Sequence, residues 1–130
     1  MKLAEARRRF ELYKLNDLKR EELEDMIDAA ITVLHPSAKE RLDEIRGIIR
    51  AAKGIDPFAT RSRGQDTVCW RQCVWRRMRD EGYTLMEVGD ASGCSHATVY
   101  TGVNRFNGYL SMNDRRAVRI AEEFNEMMRG

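Results

Sequence analysis

In the segment Gly93-Cys94-Ser95-His96-Ala97-Thr98-Val99-Tyr100-Thr101-Gly102-Val103-Asn104-Arg105-Phe106, a turn glycine precedes small polar side chains and then an apolar repeat. Ser95 is a good N-cap, because its hydroxyl can accept from an unpaired backbone N–H of the first helical turn. Val99, Val103, Phe106 and Leu110 recur at helical spacing and supply one apolar face. Thr98, Thr101 and Arg105 fall opposite, at i, i+3 and i+7. A cap needs Ser95 alone. His96, Ala97 and Thr98 beside it call for a second explanation.

The flanking sequence sets this helix in an all-α fold. Upstream, Ser92-Gly93-Cys94 reads as a three-residue turn, and Thr84 caps a short helix, Leu85–Ala91, that buries Leu85 and Val88. Before that, Asp66 or Thr67 caps a helix of about Val68–Glu81, with Trp70, Cys73, Val74 and Met78 on its apolar face and Gly82 as its stop. Downstream, Asn113 caps a final helix carrying Ala117, Ile120, Ala121, Phe124 and Met127. Residues 3–15 show helical periodicity (Leu3, Ala6, Phe10, Tyr13), interrupted by Arg7-Arg8-Arg9. A second helix, capped by Asn16 or Asp17, continues through Leu34 and stops at His35-Pro36, because the residue before proline avoids the α region. Ser37 and Glu40 form a capping box for a third helix that ends near Lys53, with Leu42, Ile45, Ile48 and Ile49 apolar and Gly54 at C′. Residues 54–60 read as a linker and Arg61-Ser62-Arg63-Gly64-Gln65-Asp66 as a basic loop. The expected organisation is a helical hairpin over residues 1–57 and a second domain over 58–130.

Composition narrows the function. The chain has 130 residues, 34% of them charged, and a net charge of +2. Residues 58–112 carry 7 Arg against 5 Asp or Glu, so the small basic excess lies in the middle of the chain and is all Arg. Arginine's planar donor fork suits phosphates and guanine edges. The N-terminal stretch has no apolar h-region, and no run approaches the ~20 apolar residues of a membrane span. Three cysteines, an odd number, argue against a disulfide framework. The expectation is a cytoplasmic, reduced protein. Cys69 and Cys73, at i and i+4 on a helix, read as core thiols rather than zinc ligands, and no cofactor is expected. His35 and His96, the only histidines, sit in no recognisable acid–base or nucleophile arrangement, so no enzyme activity is expected.

Thr84 to about Leu110 therefore has the layout of a helix-turn-helix, whose second helix enters the DNA major groove. The methyls of Ala97 and Thr98 suit a thymine methyl, and His96 can donate or accept a hydrogen bond to a base edge. Thr101 and Arg105 continue the same outward face toward bases or phosphates.

From Arg61 to about Leu110 the chain also resembles the C-terminal duplex-binding domain of the bacterial replication initiator DnaA. The matching parts are Arg61-Ser62-Arg63 in the loop, Arg71-Gln72 in the following helix, Leu85-Met86-Glu87-Val88-Gly89-Asp90-Ala91, and His96-Ala97-Thr98-Val99. The resemblance implies that Arg61 and Arg63 reach into the minor groove, that Arg71 lies near the backbone, and that Ser95, His96, Ala97 and Thr98 contact bases. Ser95 and Ala97 depart from the family's Asp and Thr, which points to a different DNA site. The chain carries no G-x-x-x-x-G-K-[ST] motif, so the family's ATPase module is absent from it. What is implied is a stand-alone DnaA-like or Trp-repressor-like regulator of replication or transcription, of phage or mobile-element type, associated with the nucleoid. Residues 1–53 are expected to serve a homodimer or a protein partner. The alternative is a helical protein–protein adaptor that uses the helix-turn-helix only as scaffold.

Overall fold

A computed structural model describes residues 22–27, 35–59 and 64–130. The chain divides into two units, Met1–Ser37 and Ala38–Gly130. In the first, residues 22–27 are helical. The periodicity noted over 3–15, the Arg7-Arg8-Arg9 run, and the basic-loop residues Arg61, Ser62 and Arg63 lie outside the described residues.

The second unit is built of five helices: α1 (Ala38–Lys53), α2 (Gln65–Asp80), α3 (Leu85–Ser92), α4 (His96–Ser111) and α5 (Arg115–Arg129). Every described element is helical, as the periodicity requires. Each helix contributes its apolar stripe to one cluster. That cluster joins Leu42, Ile45 and Ile49 of α1 to Trp70, Val74 and Met78 of α2, Val88 of α3, Val99 and Phe106 of α4, and Ala117, Ile120 and Phe124 of α5. Burying an aliphatic or aromatic side chain of this size is worth about 1.5–3 kcal/mol. Trp70 meets Phe124 edge-on at 6.5 Å between ring centroids, a favoured aromatic geometry. Cys69 and Cys73 are both buried in this cluster. Burial pushes the Cys73 thiol up to about 12.

The packing differs from the expected division at residue 57. α1 supplies one wall of the core shared with α2–α5, so the compact unit begins at Ala38. Charge pairs reinforce this. Arg41 forks onto the Glu81 carboxylate, and Lys53 meets Glu123 of α5 at 3.1 Å. The stretch expected to be a linker is also held. Asp56 accepts from Arg46 and from Arg50 at 2.7 Å, and from the Phe58 amide at 3.1 Å. Burial alone would raise its pKa, but these hydrogen bonds outweigh burial and bring it down to about 2. Pro57 is buried, and Phe58 tilts against Trp75 at 6.1 Å between centroids.

Helix ends follow local chemistry, with two corrections. Thr84 and Glu87 form a reciprocal capping box, and Gly54, Gly82 and Gly93 take the positive φ that glycine tolerates. α2 begins at Gln65 after Gly64, with no side-chain cap. Asp66, expected as a cap, is instead drawn across to α5 by Arg116 at 2.8 Å and Arg119 at 3.3 Å. The cap of α5 is Asp114, which accepts from the Ala117 amide at 3.0 Å. Asn113, expected in that role, sits at φ 53, a conformation asparagine tolerates better than most residues.

Two glycines inside helices have steric reasons. A Cβ on Gly102 would lie 2.7 and 2.8 Å from ring carbons of Trp75. A Cβ on Gly89 would lie 2.7 Å from the Cys94 carbonyl oxygen. Gly47 on α1 meets nothing within 4 Å. Gly102→Ala should therefore destabilise the protein by about 1–3 kcal/mol through overpacking, whereas Gly47→Ala should stabilise it by about 0.4–1 kcal/mol; thermal melts of the two variants check this contrast. A second outcome concerns acid. The folded-state pKa of Asp56 is depressed, so its contribution is fully present above the unfolded value and is lost as pH falls. Asp56→Asn should remove the part of the stability–pH slope that falls between about pH 4 and pH 2, measured by urea melts across that range.

Candidate nucleic-acid interface

α3 and α4 set the outer surface. The left-handed Gly93 ends α3, Cys94 passes its amide to the Gly89 carbonyl at 2.9 Å, and Ser95 starts α4. The absent side chain at Gly89 lets this turn lie directly on α3. Ser92 fastens the corner from within. Its hydroxyl donates to the Val88 carbonyl at 2.6 Å and accepts from the Trp75 indole N–H at 3.2 Å. One tryptophan thus holds the turn through its N–H and seats α4 through its ring.

The tip of α4 faces solvent. Ser95, His96, Ala97, Thr98, Thr101 and Arg105 are all exposed, while Val99, Gly102 and Phe106 are buried. This division matches the two helix faces expected from the sequence. Ser95 accepts from the Thr98 amide at 3.1 Å, and its hydroxyl meets the Thr98 hydroxyl at 2.9 Å. The cap and the outward face therefore share a small hydroxyl network, and Ser95 acts first as a cap.

Arg71 on α2 is partly buried and donates from Nε to the Pro57 carbonyl. A groove of about 380 Å³ between α2 and α4 brings it together with Ala97, Thr98, Thr101 and Arg105. Trp75, Gly102 and Gln72 also line it. A neighbouring cavity of about 420 Å³ shares Val68, Gln72 and Arg105 with it and adds Tyr109, Asp114 and Arg116. Arg105, exposed on α4, and Arg71, whose Nε is held by Pro57, both line the first groove. This suits an anionic, repeating ligand.

The structure thus brings together Arg71, Ala97, Thr98, Thr101 and Arg105, and it places Ser95 and His96 at the adjoining tip. Arg61 and Arg63 lie outside the described residues. Sequence reasoning missed Gly102, Trp75 and Gln72 as lining residues. A glycine inside a helix costs about 1 kcal/mol relative to alanine, and that cost was the available signal for Gly102. Gln72 is buried and, among the described residues, its Oε1 has no hydrogen-bond partner, which no local pattern announces.

Comparison of the chain with protein families, with curated proteins and with solved structures finds no match in any of the three.

Ser95→Ala should cost about 1 kcal/mol of stability through loss of the cap, and a Ser95→Asp or Ser95→Thr replacement should recover most of it. Chemical denaturation of the three variants checks this ordering.

Proposed function

We propose that this chain binds double-stranded DNA by laying the N-terminal half of α4 in the major groove. The observation that carries the reading is the single exposed strip in which Ala97, Thr98, Thr101 and Arg105 share a groove with Arg71, while the underside of the same helix is sealed in the core. Short side chains at the helix start can approach base edges closely, and flanking arginines meet phosphates. The resemblance of residues 61–110 to the DnaA duplex-binding domain supports the same docking, with Ser95, His96, Ala97 and Thr98 toward bases. Arg61 and Arg63 then grip the adjoining minor groove. On this reading the protein is a regulator of replication or transcription that works without an ATPase module in this chain.

The test is fluorescence anisotropy with a random-sequence duplex pool, followed by the duplexes selected from it, over a range of salt. Arg105→Ala should flatten the log–log salt slope by about one unit. His96→Ala should weaken the selected duplex by about 5- to 150-fold, in line with a base contact of ~1–3 kcal/mol. Unchanged binding in both variants overturns the residue assignment. Absence of duplex binding at moderate salt, with a stable complex between copies or with another protein, favours the adaptor reading instead.

A further inference from the structure

The face of α4 that points away from the core extends beyond the residues considered so far. Ala97, Thr101 and Asn104 are spaced by four and then three residues, so they fall in one line along the helix. All three are exposed. Asn104 stands about 10 Å along the axis from Ala97, roughly three base-pair steps of a duplex. The helix bears a second exposed asparagine, Asn107, whose Oδ1 is taken by Arg76 Nε at 2.8 Å. Asn104 differs: among the described residues its amide makes no hydrogen bond. Asparagine is a poor helix former in mid-helix, and none of the described residues uses its amide.

We infer that Asn104 is a specificity-determining residue that reads an adenine in the major groove. The inference rests on the duplex-binding reading above. A carboxamide presents one acceptor and one donor side by side, which match the N6 amino group and N7 of adenine. Thr101 and Ala97, the residues next to it on the line, are short, so they leave the helix free to sit deep enough for this contact. Arg105, adjacent in sequence, is turned toward the groove shared with Arg71, so phosphate contact and base reading fall to neighbouring residues on different sides of the helix.

The experiment is selection of duplexes from a randomised pool by the full chain and by Asn104→Ala, with circular dichroism melts confirming that the exposed substitution leaves the fold intact. The wild-type chain should enrich an adenine at one position that becomes degenerate for Asn104→Ala. Affinity for the selected duplex should fall about 5- to 150-fold, while affinity for unselected DNA and the salt slope stay within about twofold of wild type. Asn104→Gln, which keeps the carboxamide, should restore part of the adenine preference. The same selected sequence with both chains, or a loss of affinity equal across all duplexes, overturns the assignment of Asn104 and leaves duplex binding standing. Binding of the pool without enrichment of any sequence overturns the role of Asn104 alone, and no binding of the pool by the wild-type chain overturns the duplex-binding reading as well.

Discussion

The contact between Gly102 and the Trp75 ring governs the arrangement of the helices that matter here. At the separation the structure shows, any side chain at 102 would drive a carbon to within 2.8 Å of the indole. That closeness lets α4 settle onto α2, buries Val99 and Phe106 completely, and leaves Thr101 and Arg105 outside. The same indole uses its N–H to hold Ser92 at the end of α3. The depth of α4 and the angle at which α3 delivers the chain into it are thus set by one residue. A larger gap at this point would cost dispersion contacts along the whole α2–α4 seam.

A second layer of constraint comes from charge. Asp56 is clamped by Arg46 and Arg50, and the next residue, Pro57, offers its carbonyl to Arg71. Arg71 in turn lines the groove beside Thr98 and Thr101. A turn after α1 is thereby connected, through three adjacent hydrogen-bonded residues, to the rim of the candidate interface. Glu81 plays a similar part at the other end of α2. Hydrogen bonds from Arg41 and then Arg77 hold its carboxyl below the usual range, so α1 and the end of α2 share one ionic junction.

Much of this was legible in the residues, and the limits have physical causes. Caps and turns such as Thr84, Gly93 and Ser95 are decided by hydrogen bonds within a few positions, so a local reading finds them. The buried and exposed faces of α4 follow from its period. Asp66 and the placement of α1 were not legible, because their partners lie far away in the chain: Arg116 and Arg119 for Asp66, and a whole helical stripe for α1. The shift from Asn113 to Asp114 as the cap has a local cause that pattern alone cannot resolve, since both residue types suit the role. The groove beside α4 needs the tertiary approach at Gly102, which appears in the sequence only as an apparently wasteful glycine.

The position of α1 bears on how this piece of chain could be inherited. Leu42, Ile45 and Ile49 are buried in the same cluster as the apolar side chains of α2–α5. A recombination event that joined the chain at the loop after α1 would carry away a bundle with an open hydrophobic trench. A segment that carries the surface of α4 intact consequently has to include α1, whose stripe closes the core beneath it.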